Sequence, residues 1–343
     1  MSDLHDPGDP TGPSAPDEDE LVTVIIPAFN EERFIGASLD SVLAQSYENL
    51  QVVVVDNGST DRTLALVEER RGRDDRIEVL HNPRRNIPTS LNLALESARG
   101  RWLVRVDAHC TVRRDYVRIA VGRLREGSYG GVGGRKDGVG TTPAGRAIAV
   151  AMASRLGVGN SVYHHGTEPQ DVDHLAFGAY PVALLRSLGG WDERLAANED
   201  FELDYRLGRS GHRLLFDPRM VIDWHCRQSV RDLFRQYQRY GLGKVDVVRL
   251  HPESMHPRHY APPALVGYLA LGLALRRPRL LAAMVAPYVA AVTAESFRLR
   301  DRLDTTSERV RLPPAFAAMH MGWGLGFWRG VGRTLRERTR ART

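Results

Sequence analysis

From residue 22 to residue 109 the chain alternates short β-branched apolar runs with segments of helical period, and few folds accommodate that pattern. The runs are "VTVIIPAFN" (22–30), "LQVVVVDNGST" (50–60), "RIEVLHN" (76–82) and "RWLVRVDAH" (101–109). Between them lie "EERFIGASLDSVLAQSY", "DRTLALVEERRGR" and "NIPTSLNLALESARG", the last with Pro88 near its start and Gly100 at its end. Strand and helix in turn, with short connections, predict an α/β fold with a parallel sheet covered by helices. Ligands of such sheets bind beyond the carboxyl ends of the strands. Asn30, the stretch Asp56-Asn57-Gly58-Ser59 and the stretch Asp107-Ala108-His109 are therefore expected on one rim.

Beyond residue 127 the pattern changes. "GSYGGVGGRKDGVG" predicts a turn-rich edge or a strand with close backbone approach. "PAGRAIAVAMASRLG" has helical period, a helix is expected to open after Asn198, and "HRLLFDPRMVIDWHCR" reads as strand, turn, strand. "SVRDLFRQYQRYGLGK" is an amphipathic basic helix. Two uncharged apolar segments, 261–275 and 280–294, flank "RRPR". Each is shorter than the roughly 20 residues of a bilayer span, so a shallow interfacial hairpin is expected, with two buried core helices as the plainer alternative.

Charge adds to this. The formal net charge is +5, yet residues 1–20 carry seven acids and no Lys or Arg. Basic residues concentrate late, in "FRLRDRLDTTSERVRL" and "RTLRERTRART". With apolar segments ahead of them and no interleaved aromatics, they point to an anionic membrane surface and not to nucleic acid. Two cysteines, Cys110 and Cys226, can build neither a disulfide framework nor a zinc knuckle, which fits a reducing compartment. The first residues show no basic and apolar secretory pattern.

Four stretches could carry chemistry, and each has a plainer alternative. Asp56 could contact a nucleotide, or simply form a turn with Gly58. Asp107 and His109, if extended, share a face and could chelate one ion, or only end a strand. Asp200, in "NEDFELDYRL", could be a general base, or an acid suited to a helix start. In "DWHCRQS", His225 could complete a metal shell and Arg227 clamp a diphosphate, or both could be surface residues.

Together and in this order the stretches say more than singly. "VTVIIPAFNEERFIGASLDSVLAQSYENLQVVVVDNGSTDRT", "VRVDAH", "GGWDERLAANEDFELDYRL" and "WHCRQSVRDLFRQYQRYGLGK" resemble a family 2 glycosyltransferase over residues 21–330. "VGNSVYHHG", "APPALVG" and "MHMGWGLGF" make it similar to the bacterial succinoglycan-biosynthesis glucosyltransferase type. The resemblance implies a GT-A fold: a Rossmann-like, mostly parallel sheet with helices on both faces, plus a C-terminal helical, membrane-associated segment. It implies a nucleotide-binding half (21–127) and an acceptor half (128–250) of one domain, 21–250. A disordered acidic tail (1–20) precedes that domain. An apolar helical membrane-associated region (251–330) and a basic tail (331–343) follow it.

It implies an inverting, metal-dependent enzyme at the cytoplasmic face of the cell membrane. That enzyme would move a sugar from a nucleotide-sugar, a UDP-hexose first, to a hydroxyl of a lipid-linked or growing saccharide in exopolysaccharide biosynthesis. By position, Asp200 would be the base. Pro27, Asn30, Glu31, Asp56, Asn57, Arg85, Asp107 and Arg227 would bind the nucleotide-sugar. Asp107, His109 and His225 would hold Mn²⁺ or Mg²⁺. Many members have Asp where this chain has His109, a change that bears on metal identity. A polyprenyl-phosphate glycosyltransferase and a non-catalytic membrane-associated scaffold are the competing expectations. Retention of Asp56, Asp107 and Asp200 argues against the scaffold.

Overall fold

A computed structural model describes residues 20–340. The expected acidic tail, apart from Glu20, and the last three residues of the basic tail lie outside the described residues. The first part of the chain reads β1 (Val22–Ala28), α1 (Ile35–Leu43), β2 (Leu50–Asp56), α2 (Thr63–Arg71), β3 (Ile77–His81), α3 (Ile87–Ser97) and β4 (Trp102–Arg105). Strands β3, β2, β1 and β4 lie side by side and pair in parallel. Strand β2 is buried along its whole length, which is why its valines run without polar interruption. The start of α3 is fixed by the Asn86 side chain, which accepts from the Thr89 N–H at 2.8 Å.

Alternate residues of these strands feed two cores. Val22, Val24 and Ile26 pack on the side of α1, whereas Ile25, Val53 and Val55 pack with Leu91, Ala94 and Leu95 of α3. Helices therefore cover both faces, as the α/β expectation requires.

The second part comprises β5 (Cys110–Val112), α4 (Tyr116–Arg125), β6 (Gly131–Val139), α5 (Pro143–Met152), α6 (Arg155–Val158), β7 (Gln170–Val172), β8 (Ala179–Pro181), α7 (Val182–Ser187), α8 (Glu199–Arg209) and β9 (Leu214–His225). It extends the sheet to the order β3-β2-β1-β4-β8-β6-β9-β5, with β7 also on β9. Pairing here is mixed: β8 is antiparallel to β4 and β6, whereas β6 is parallel to β9.

The Gly-rich stretch is an interior strand, β6: of its two expected readings, the strand with close backbone approach holds and the turn-rich edge does not. Its glycines admit close backbone approach: a Cβ on Gly134 would stand 1.8 Å from the Met220 carbonyl oxygen. The segment from Leu214 to His225 is one bulged strand instead of two strands and a turn. The buried Asp217 carboxylate accepts from the backbone N–H and guanidinium of Arg219 and from Arg123, which ties off the bulge.

The chain ends in α9 (Val230–Leu250), α10 (Ala261–Ala274), α11 (Pro278–Leu299), α12 (Thr306–Arg309) and α13 (Leu312–Arg340). Helix α13 runs through the boundary expected at residue 330 and packs along α9 on a seam of glycines. A Cβ on Gly241 would lie 2.0 Å from the Trp323 carbonyl oxygen, and one on Gly326 2.1 Å from that of Gln238. Gly326→Ala is therefore expected to destabilise the protein by about 1–3 kcal/mol, because neither backbone can yield to the methyl group. Thermal denaturation checks this, and an unchanged melting temperature would mean that the seam is looser than drawn.

Helices α10 and α11 form an antiparallel pair resting on α13, with Arg276, Arg277 and Arg279 at its tip. Tyr268, Leu271, Leu273, Val289 and Phe297 are exposed on it. Among the described residues no helix is long and apolar enough to cross a membrane.

Candidate functional site

The polar ends of the parallel strands do meet on one rim. Asn30 adopts a left-handed backbone (φ 54°) that turns the chain after β1. Its N–H donates to Ser59 Oγ at 3.0 Å, and its side-chain oxygen accepts from the Thr60 N–H at 2.8 Å. Glu31 Oε1 meets His109 Nδ1 at 3.0 Å. The ends of β1, β2 and β4 are thus tied together by side chains.

Within this rim the residues differ in what they have free. Asp56 is only 4% exposed, and its carboxylate accepts from the N–H groups of Gly58 and Ser59. The turn-forming role expected of it is present. The guanidinium of Arg85 lies against Gly58 and makes no hydrogen bond or ion pair among the described residues. Asn57 is buried, and its amide is used by Ala28, Asn82 and Ser90. It holds the rim's shape and presents no side-chain donor outward. Pro27 is an interior position of β1, paired with Val55.

The geometry assumed for Asp107 and His109 is corrected. Strand β4 stops at Arg105, and residues 107–109 form a turn closed by a hydrogen bond from the Cys110 N–H to the Asp107 carbonyl at 3.0 Å. Strand alternation therefore does not set these side chains. Asp107 Oδ1 accepts from Arg105 Nε at 3.0 Å, while His109 turns to Glu31.

Arg105, which sequence reasoning missed, is the hub. It is 3% exposed, and its guanidinium bonds Asp107, Glu199 and Asp200, the last at 2.5 Å. Burial opposes its charge, but Asp107, Asp200 and Glu199 raise its pKa well above that of an ordinary arginine. A single buried cation thus joins the end of the nucleotide half to the first turn of α8. The signal for it was an arginine inside the apolar run "WLVRV", which has no place in a buried strand unless paired.

Helix α8 opens directly after Asn198, as expected, with Glu199, Asp200 and Glu202 in its first turn. Burial, and then the charge of Asp200, push Glu199 above the ordinary carboxyl range. Asp200 Oδ1 accepts from Arg105 and, at 3.0 Å, from the indole N–H of Trp191. Its Oδ2 has no hydrogen-bond partner among the described residues, and the side chain is 18% exposed. One oxygen is pinned and the other is open, as a positioned proton acceptor requires.

His225 ends β9 opposite His109, its backbone N–H donating to the His109 carbonyl at 3.1 Å. His109 and Glu31 are both close enough for their charges to act on the His225 ring. The His225 ring stacks on Phe34 with centroids 4.5 Å apart, and its buried Nδ1 has no hydrogen-bond partner. Burial, and then His109, lower its pKa below the ordinary imidazole value. Arg227 lies beyond the strand end and makes no ion pair among the described residues. Among those residues no three His, Cys, Asp or Glu side chains come close enough to hold a metal ion alone.

Comparison with known proteins identifies the family and the fold. The family model described as "Glycosyl transferase family 2" matches residues 23–181. The succinoglycan biosynthesis protein ExoA of Rhizobium meliloti (strain 1021) is 30% identical over 320 residues, 91% of this chain and 96% of its own. The Mycobacterium tuberculosis pre-mycofactocin glycosyltransferase is 27% identical over 85% of this chain and 60% of its own. Among solved structures, a Pyrobaculum calidifontis mannosyltransferase in complex with GDP-Man and Mn²⁺ superposes with a TM-score of 0.61 at 23% identity, covering 87% of this chain and 86% of that one. Residues 1–349 of S. aureus TarS with UDP-GlcNAc give 0.51 at 18%, covering 89% and 90%. At these identities the two structures establish the fold.

Proposed function

The chain belongs to glycosyltransferase family 2, and from that premise we propose that it transfers a hexose, with inversion, from a nucleotide-sugar to a hydroxyl of a lipid-linked or growing saccharide. The observation that carries this reading is the half-pinned Asp200 carboxylate, tied through Arg105 to Asp107 at the strand-end rim. In the reaction the open Oδ2 of Asp200 takes the acceptor hydroxyl proton. The freed oxygen forms a bond to the anomeric carbon from the face opposite the diphosphate. The bond from that carbon to the phosphate oxygen breaks, and the nucleoside diphosphate leaves with the electron pair. Asp56, Arg85, Asn30 and Glu31 form the edge on which the nucleotide rests, and Arg227 supplies charge for the diphosphate.

The residues fit a divalent ion as a partial shell. The His225 imidazole, whose Nδ1 has no hydrogen-bond partner, lies near the Glu31–His109 pair, and diphosphate oxygens of the donor would complete the coordination. Such an ion supplies positive charge to the departing diphosphate. An imidazole where many relatives have a carboxylate makes the shell less negative and favours Mn²⁺ over Mg²⁺.

The role of ExoA in succinoglycan biosynthesis supports an exopolysaccharide acceptor. The exposed apolar pair α10–α11, with arginines at its tip, supports residence at the cytoplasmic face of an anionic membrane, without a span. The 21–250 catalytic domain followed by a membrane-facing helical region is the organisation that this reading requires.

The test is nucleoside-diphosphate release across UDP- and GDP-sugars with a lipid-linked saccharide acceptor, with and without Mn²⁺. One donor should stand out. His225→Ala should raise the Mn²⁺ concentration needed for half-maximal rate by about 10-fold or more. Equal rates with and without metal, in both proteins, would remove His225 from any metal shell. No release with any donor would overturn the transferase reading.

A further inference from the structure

Beside the catalytic acids lies a cavity of about 220 Å³, between β6, the end of β9 and α5. Its polar lining comes from Lys136, Asp137, His164 and Arg302, and its apolar lining includes Ala149, Met152 and Trp224. Lys136 is the notable member. Its ammonium sits over the faces of Trp224 and Phe177, 3.9 and 4.7 Å from the ring centroids, and makes no hydrogen bond or ion pair among the described residues. Aromatic faces steady a cation but satisfy none of its three N–H donors. Arg302, at the mouth, also has no ion pair among the described residues, and the nearby Glu295 is held by Arg298 and Ser154. The one acid of the lining, Asp137, is bonded by both arms of Arg135. The cavity thus offers two cations that make no hydrogen bond or ion pair among the described residues, beside His164 and a mainly apolar wall, with Asp107 and Asp200 near enough to act on Lys136 through space.

Phe177 connects this cavity to the catalytic acids: Arg105 packs on the same ring, 5.5 Å from its centroid, as Lys136 does. We infer that the cavity receives the phosphate of the acceptor, an ester whose other end is apolar, and that Lys136 and Arg302 are the groups that bind it. The inference rests on the glycosyl-transfer reading of the Asp200 site and deepens it by assigning the residues that hold the phosphate of a lipid-linked acceptor. With its phosphate held one phenyl ring away from Arg105, an acceptor would have its sugar hydroxyl, and not its phosphate, at Asp200. Arg302 follows directly on α11, the helix that presents apolar side chains outward, so a lipid chain has an apolar path from a membrane to the cavity mouth. Burial pulls the Lys136 ammonium below the ordinary lysine value, and a bound anion would restore it.

The experiment titrates the full-length protein with decyl phosphate, 1-decanol and inorganic phosphate, followed by calorimetry. Decyl phosphate should bind more tightly than either fragment. Lys136→Met, which keeps the length and apolar stem under the two rings, should weaken decyl phosphate about 10-fold or more and leave 1-decanol unchanged. Arg302→Gln, at the exposed mouth, guards against a Lys136 variant that folds poorly and should weaken decyl phosphate several-fold. Native affinity for decyl phosphate in both variants would overturn the inference. So would 1-decanol binding as tightly as decyl phosphate, which would mean a purely apolar cavity, or inorganic phosphate doing so, which would remove the lipid. Donor cleavage is measured in parallel. Its absence with every nucleotide-sugar would sink the transferase reading, while the isotherms would still decide the phosphate site.

Discussion

Arg105→Met is expected to lower stability by about 3–5 kcal/mol at neutral pH, the cost of removing one partner from a buried ion cluster. The guanidinium is the shared counter-charge of Asp107, Glu199 and Asp200, and a methionine of similar volume leaves three mostly buried carboxylates without it. The pH dependence distinguishes this from a packing defect. Glu199 already has its pKa raised by burial and by Asp200, from an ordinary 4.5. A carboxyl with a raised folded-state pKa favours the fold when protonated, so its contribution is fullest below 4.5 and is lost as pH rises through the folded value. Without Arg105 that value rises further, so the stability gap between variant and parent should widen toward neutral pH and narrow on acidification. Denaturant titrations at several pH values measure it. A gap independent of pH would show that the carboxylates do not depend on Arg105 for their charge. Arg105→Lys keeps a cation but not the fork that reaches three carboxylates, and should fall between.

The same residue shows what the sequence could and could not reveal. Strands β1 to β4 and their rim were legible because periodicity and strand-end polarity are local signals. Asp107, His109, Asp200 and His225 could be singled out as candidates from the sequence, but their geometry could not. Alternation was the wrong rule for Asp107 and His109, because β4 ends at Arg105 and a turn follows. The bond between Arg105 and Asp200 spans 95 positions, and only the folded chain brings its ends together. The glycines of β6 were visible, yet a stretch that reads as an edge becomes an interior strand once Met220 presses against Gly134. The anchoring of Asp200 by the Trp191 indole, nine positions away, also depends on tertiary packing: Trp191 is buried, and its N–H donates to the carboxylate.

Asp200→Asn is expected to lower turnover by about 10²–10⁴-fold while nucleotide-sugar affinity stays near that of the parent. The amide keeps the shape of the carboxylate and still offers an oxygen to Arg105 and Trp191, so the fold around α8 persists. What it lacks is a basic site at the position of Oδ2, the one oxygen that the protein leaves open. The acceptor hydroxyl must then attack without losing its proton to the enzyme, and the barrier rises by the corresponding amount. Single-turnover release of the nucleoside diphosphate, measured beside donor binding by calorimetry, separates the two quantities. Loss of turnover with binding intact fits a base. Near-normal turnover would remove Asp200 from the proton transfer, and parallel loss of both would make it a donor ligand. Asp200→Glu adds a finer test, because a carboxylate displaced by one methylene keeps the charge but moves the open oxygen off the line between hydroxyl and anomeric carbon. Partial recovery there, with none in the Asn variant, would show that the proton acceptor must be both anionic and in place.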